Sequence, residues 1–313
     1  MLEGASKIHL ILQGCGFLGA YSFGAIVLLS QIWPQRPCYK ISGASCGSIM
    51  AVLTASGVSL VESFDTIVSI GMATRKLISN PIRLTLQPIS ELLRSSFDKR
   101  FPDNIHKRVN GRVGVSVTRV HDWTNQLVSY FESKHDLIDA IVCSCFIPLW
   151  AGLSVPTFRG ASCIDGCYTN NSPRLHLEPE ALASGVRYVT ISPFAGDADV
   201  SPQDTNTIIM LPAFGTGYYL NGDNLRRARN ALVPSLSQTF TGLLEGYCDM
   251  KAYLLRHCTQ LLNCGTPQHS HSSCLRCLLI YEKVSNLRLP NEYVDVIRYY
   301  RPPIRSSNVR RHY

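Results

Sequence analysis

An α/β fold with a central, mostly parallel sheet is what three observations in this 313-residue sequence predict. Apolar runs of strand length alternate with helix-length runs through the first 195 residues, the pattern of repeated βαβ units. No Lys, Arg, Asp or Glu occurs between Lys7 and Arg36, as expected of elements buried on both sides. Two glycine-framed turns, Gly14-Cys15-Gly16-Phe17-Leu18-Gly19 and Gly43-Ala44-Ser45-Cys46-Gly47, each stand between a strand-like run and a helix-like run.

In chain order, Ile8 to Leu12 predicts a strand, Phe17 to Ile32 a helix, Tyr39 to Ser42 a second strand and Cys46 to Ala55 a second helix. The uncharged stretch invites a membrane span, but Gln13, Gln31 and the glycines at 14, 16, 19 and 24 interrupt it, and a spanning helix needs about twenty mainly apolar residues. Helices over Leu60 to Arg75, Ser90 to Lys99 and Lys134 to Cys145 are interleaved with strands over Arg112 to Val117 and Gln126 to Phe131. Strands over Ser162 to Ile164 and Tyr188 to Ile191 close the alternating part. Beyond Ser201 the pattern becomes helical, over Asn224 to Leu232 and Gln238 to His257. Turn residues dominate Asn263 to Ser273, Leu278 to Lys283 is a short strand or helix, and little order is expected after Pro302.

Composition sets the class. With 45% hydrophobic and 17% charged residues the chain can bury a substantial core and is not a disordered protein. Twelve cysteines without a convincing signal peptide suggest reduced thiols in a cytosolic setting. The net charge of +8 is concentrated partly in Arg226, Arg227 and Arg229 and in the run from Arg298 to Arg311, suiting a solvated tail or an anionic lipid surface. Cys258, Cys264, His269, His271, Cys274 and Cys277 include one C-x2-C pair, but the other spacings fit no common zinc module. No metal or cofactor site and no nucleic-acid partner is expected.

The chemistry starts from Ser45. Gly43 to Gly47 is a G-x-S-x-G elbow with the strand before it and the helix behind it that the motif requires. Gly14 to Gly19 also fits the dinucleotide fingerprint G-x-G-x-x-G, but the ribose-binding acid is missing, since no Asp or Glu lies between Glu3 and Glu62. A glycine-rich turn aiming backbone N–H groups at a developing oxyanion explains the same residues. A serine needs a base, and none of the nine histidines sits in a loop built to present it. Asp165, at the end of a short strand-like run and backed by Gly166, is the better candidate, because partial burial raises a carboxylate's proton affinity.

In that order, Gly14 to Gly19, Gly43 to Gly47 and Asp165-Gly166 resemble the three signatures of the patatin-like phospholipase family. Cys143-Ser144-Cys145-Phe146-Ile147-Pro148, Pro156 to Gly160 and Ile191-Ser192-Pro193-Phe194-Ala195-Gly196 resemble its animal triglyceride lipase and adiponutrin branch. The resemblance covers about residues 8 to 260. It implies a three-layer α/β/α core over 8–178, a C-terminal helical extension over 179–262 and a Cys/His-containing basic tail over 263–313, partly disordered. Its functional implications are Ser45 as nucleophile, Asp165 as base, and Gly14, Cys15, Gly16 and Phe17 around an oxyanion hole, with Gly19, Gly43, Gly47 and Gly166 in support. Glycerolipid esters, triacylglycerol first, are the substrates it implies, met at a lipid droplet or membrane surface in the cytoplasm, with a co-activator protein as a possible partner. Phospholipid hydrolysis, or transfer of the acyl group to an acylglycerol or retinol, is the alternative. Cys46 and Cys167 stand where the family usually has Ala or Gly, which leaves a weakly active droplet regulator as a third expectation.

Overall fold

A computed structural model describes residues 8–32, 40–80, 87–176, 186–203, 210–213, 215–261 and 286–300. Strands β1 (Ile8–Leu12), β2 (Lys40–Ala44), β3 (Val113–Arg119) and β7 (Arg187–Ile191) run parallel in the order β3-β2-β1-β7. Three more strands, β4 (Asn125–Val128), β5 (Thr157–Phe158) and β6 (Ala161–Asp165), join in antiparallel pairings, making a mixed, mostly parallel sheet. Strands β1 and β3 are buried on both faces, up to Arg119 at the end of β3, as the helices flanking them require.

Helices α1 (Ala20–Ile32), α2 (Cys46–Ala55), α3 (Leu60–Ile78), α4 (Ile89–Arg100), α5 (Ile105–Val109) and α6 (Lys134–Ser144) surround the sheet. A small hairpin of β8 (Met210–Ala213) and β9 (Thr216–Tyr219) precedes α7 (Gly222–Leu232), α8 (Leu236–Leu261) and α9 (Asn291–Tyr300). Ser59 and Ser133 cap α3 and α6 by accepting the N–H groups of Glu62 and Asp136, which fixes where those helices begin.

The expected helical extension is part of the core. A Cβ on Gly24 of α1 would lie 2.0 Å from the Leu243 carbonyl oxygen, and one on Gly246 of α8 would lie 1.8 Å from that of Tyr21. The two helices therefore touch backbone to backbone, which only glycine allows. Tyr21 Oη donates to Asp249 Oδ2 at 2.7 Å and Tyr247 Oη to Gln31 Oε1 at 2.6 Å across the same seam.

The expected strand Gln126 to Phe131 ends earlier, at Val128. Helix α9 falls where only a tail was expected: Tyr293 is buried with its ring 6.4 Å from Phe23 and 5.8 Å from Phe64. The β8–β9 hairpin was hidden by Pro212 and Gly217, which read as turn residues. The cluster from Cys264 to Cys277, Leu278 to Lys283 and the segment after Pro302 lie outside the described residues, as does Tyr39.

Candidate active site

Strand pairing explains how residues 45 and 165 meet. Along β3, Ser116 pairs with Ala44 of β2 on one edge and with Leu127 of β4 on the other. Val117, the next residue, pairs with Gln126 of β4 and with Asp165 of β6. Because β4 holds the outer edge, β6 occupies the same edge as β2, just past its end. The two strands meet end to end, and the residue after Ala44 arrives beside the last residue of β6.

Ser45 is bent out of the strand with φ 54° and ψ −131°, a conformation that costs a non-glycine residue about 1–3 kcal/mol. The surroundings hold it there. Its N–H donates to Ser144 Oγ at 2.9 Å, and Ser144 in turn donates to the Ser116 carbonyl at 2.7 Å. Its carbonyl accepts from Ser48 N at 2.9 Å and Ser48 Oγ at 2.6 Å. The framing glycines are demanded by contact: a Cβ on Gly43 would lie 2.3 Å from Gly47 C, and one on Gly47 would lie 2.1 Å from the Leu12 carbonyl oxygen. Helix α2 thereby sits directly on β1 and β2 and aims its N-terminus at the serine.

Asp165 is fully buried, and no Lys or Arg lines the hollow around it. Burial pushes its carboxyl up to about 6, opposed by the nearby Ser45 hydroxyl and by Cys167. Cys167 N–H donates to Oδ1 at 2.9 Å, while Oδ2 accepts no hydrogen bond of regular geometry. Oδ2 is thus the oxygen left to receive a proton, and such bonds commonly tighten only around a bound substrate. Thr118 Oγ1 donates to the Asp165 carbonyl at 2.8 Å, and a Cβ on Gly166 would lie 2.1 Å from the Ser116 carbonyl oxygen, so the strand end is rigidly seated.

The glycine-rich loop after β1 becomes a 3-10 turn, Gly16–Gly19. Gly16 has φ +53°, and a Cβ there would lie 2.1 Å from the Ala231 carbonyl oxygen of α7. The N–H groups of Gly16 and Phe17, first in that turn, and of Cys46, first in α2, have no acceptor within their own helices. Gly14 differs from expectation as a free donor. Its N–H donates to Asn171 Oδ1 at 2.7 Å, Asn171 Nδ2 donates to Tyr218 Oη at 2.7 Å, and Tyr218 donates to Gln13 Oε1 at 3.2 Å. Gly14 is therefore an anchor of the loop in this structure.

Two chambers meet at Ser45 and share Gly16, Ile147, Ala231 and Leu232. One, between α2, α3 and α4, encloses about 770 Å³ with its mouth and is lined mainly by residues such as Ile49, Ile67, Ile70 and Leu93. The other, about 1220 Å³ with its mouth, contains Asp165 and adds Tyr168, Asn171, Tyr218 and Asn224. No described histidine lines either chamber.

Four thiols surround the pair, and those of Cys15, Cys145 and Cys167 are held well above their usual range. Cys15 owes this first to its hydrogen bond with Cys46 and then to burial, and the other two to burial followed by the charge of Asp165. They stay protonated at neutral pH and do not compete as nucleophiles. Cys46 Sγ fills the space opposite Gly19, where a Cβ would lie 2.3 Å away. Cys15, Cys46, Cys143, Cys145, Cys163, Cys167 and Cys248 all carry free thiols. Among the described residues there is no group of three metal-ligating side chains, and no helix is long and apolar enough to cross a membrane.

Ser45 and Gly16 thus border both chambers, Phe17 and Gly19 the first and Cys15 and Asp165 the second, while Gly43, Gly47 and Gly166 seat the elements behind them. Ser144, Asn171 and Tyr218 stand beside them without any spacing signal of their own.

A family model described as patatin-like phospholipase matches residues 10–177, more than half of the chain. Patatin-like phospholipase domain-containing protein 2 of Mus musculus is 34% identical over 271 residues, covering 85% of this chain and 54% of its own length. A 1-acylglycerol-3-phosphate O-acyltransferase of Homo sapiens is 37% identical over 248 residues, covering 77% of this chain and 49% of its own. The omega-hydroxyceramide transacylase of Homo sapiens is 31% identical over 249 residues, covering 78% and 45%. The chain spans about half the length of the curated relatives it matches. The crystal structure of VipD from Legionella pneumophila is similar with a TM-score of 0.39 and 11% identity, over 81% of this chain and 67% of that one. The chain belongs to the patatin-like phospholipase family.

Proposed function

We propose that the protein is a serine acyl hydrolase of glycerolipid esters, triacylglycerol foremost, working through Ser45 and Asp165. The observation that carries this is the end-to-end meeting of β2 and β6, which sets a strained serine beside a buried carboxylate with apolar space around both. Ser45 Oγ bonds to the ester carbonyl carbon as its proton passes to Asp165 Oδ2. The N–H groups of Gly16, Phe17 and Cys46 stabilise the oxyanion. Collapse breaks the ester C–O bond, and Asp165 returns the proton to the departing alcohol oxygen. Water then adds to the acyl-enzyme, giving its proton to Asp165, and the fatty acid leaves as Ser45 regains that proton.

A lipid surface is the natural source of such a substrate. Exposed apolar side chains accompany the residues that line the chambers: Leu149 and Leu153 on the loop carrying Ile147 and Trp150, Leu225 and Leu232 on α7, and Trp123 edge-on to Tyr168. A concentration of this kind marks an interaction site more than chance exposure.

A second reading is acyl transfer to a hydroxyl-bearing lipid. Asn171, Asn224, Tyr168 and Tyr218 beside Asp165 offer hydrogen bonds to an alcohol acceptor, and two of the relatives are named for acyl transfer. Products from triacylglycerol, with and without a lysolipid, retinol or partial glyceride, separate the two. Free fatty acid as the main product in the presence of acceptor supports hydrolysis; acylated acceptor forming faster than fatty acid would replace it with transfer.

A further inference from the structure

The two chambers differ in which reacting group they border. Asp165 lines only the chamber that contains Asn171 and Tyr218. In acyl transfer one base must hand a proton to the departing alcohol and later take one from the incoming water or alcohol, so both oxygens approach from its side. The acyl chain is the other substituent on the same carbonyl carbon and points away from them. The chamber between α2, α3 and α4 lies on that side and carries no charged side chain; Cys46, Cys145, Thr239 and Ser45 itself are its polar side chains.

Gly71 supplies a second, independent observation. It lies within α3, where a glycine weakens the helix relative to alanine. Of the glycines inside helices, Gly24, Gly47 and Gly246 each have a backbone atom within 2.1 Å of where a Cβ would be, which accounts for them, whereas Gly242, facing Tyr21 at 3.5 Å, and Gly71 do not; of these two only Gly71 lines a chamber. At Gly71 the nearest atoms are Pro234 Cβ at 3.6 Å and Phe17 Cδ1 at 3.9 Å, so an alanine would fit. What glycine provides here is room: the residue lines the chamber opposite the loop that carries Phe17.

We propose that the chamber between α2, α3 and α4 is the acyl-chain subsite and that Gly71 sets how long a chain it accepts, the Asp165 chamber taking the departing or accepting alcohol. This rests on the Ser45–Asp165 reading. Each methylene driven out of an apolar site loses about fourfold in binding, so a bulky residue 71 acts on long chains far more than on short ones.

The test uses the full chain and 4-nitrophenyl alkylphosphonates carrying butyl or hexadecyl groups, which bond covalently to an activated serine. Labelling is followed by nitrophenol release and intact mass in wild type, Gly71→Ala and Gly71→Leu. The ratio of hexadecyl to butyl labelling rates is expected to fall at least about tenfold in Gly71→Leu and by a smaller step in Gly71→Ala. Gly71→Ala, which the spacing accommodates, decides the matter if Gly71→Leu does not fold. An unchanged or higher ratio in a folded variant, with Ser45 still labelled, overturns the subsite and leaves the nucleophile standing. Failure of both probes to label wild-type Ser45 overturns the nucleophile and the subsite with it.

Discussion

At Asp165 burial is opposed by two hydrogen-bonding neighbours and by no cation, so desolvation wins and the carboxyl titrates near 6. The raised value fixes the sign of its effect on stability. Ionisation costs the fold more than the unfolded chain, so the stability contribution is complete below about pH 4 and is lost as pH rises through about 6. Asp165→Asn should therefore be more stable than wild type at pH 7.5, by about 3 kcal/mol in denaturant titrations, while releasing no fatty acid. His9 gives the opposite slope. Burial first, then the charges of Lys40 and Arg174, hold it down to about 4, so its contribution is present above about 6.5 and lost as pH falls towards 4. Wild-type kcat/KM should rise with pH through about 6 as Asp165 ionises, and a pH–rate profile flat from 5 to 7 would remove the carboxylate as base. Asn171 acts one step away, through Gly14. Asn171→Ala should lower kcat by about ten- to a hundredfold with little change in KM, because the loop shifts while the chambers persist.

Between elements, the glycines of α1 and α8 make the sharpest prediction. Gly246→Ala forces a Cβ against the Tyr21 carbonyl, with backbone on both sides and no flexible atom to yield. A loss of about 3 kcal/mol is expected, read as a lower thermal midpoint. Gly71→Ala, in the same kind of helix, should instead gain about 0.5–1 kcal/mol. Strand β1 and helix α2 have the bounds that the sequence predicts, because an apolar run closed by glycine and a cluster of small residues leave little choice. The hairpin β8–β9 and the short β5 were not legible, since their strand character comes from pairing and not from alternation. Much of the candidate site was legible as two glycine turns and one Asp-Gly step. The bridge from Ser45 through Ser144 to Ser116 was not, because it joins three segments that only the sheet brings together.

For the whole molecule, α8 and α9 pack on α1 and α3, so described helices from beyond the expected core share its interior. Composition could not reveal this: the sequence predicts a helix over Gln238 to His257, but only the Tyr21 backbone against Gly246 shows where that helix packs. The exposed apolar side chains beside the chambers belong to the same scale. Leu149→Ser with Leu153→Ser should reduce cosedimentation with lipid emulsion, and slow emulsion turnover more than turnover of a dissolved short-chain ester. Equal loss on both substrates would mean that the loop serves the chambers and not the surface. Fatty-acid release from emulsified triacylglycerol and from phosphatidylcholine, wild type against Ser45→Ala, goes most directly to the proposed chemistry. Release by wild type that disappears with the serine hydroxyl, in a variant that melts as wild type does, is the expected result; release that survives Ser45→Ala would contradict it.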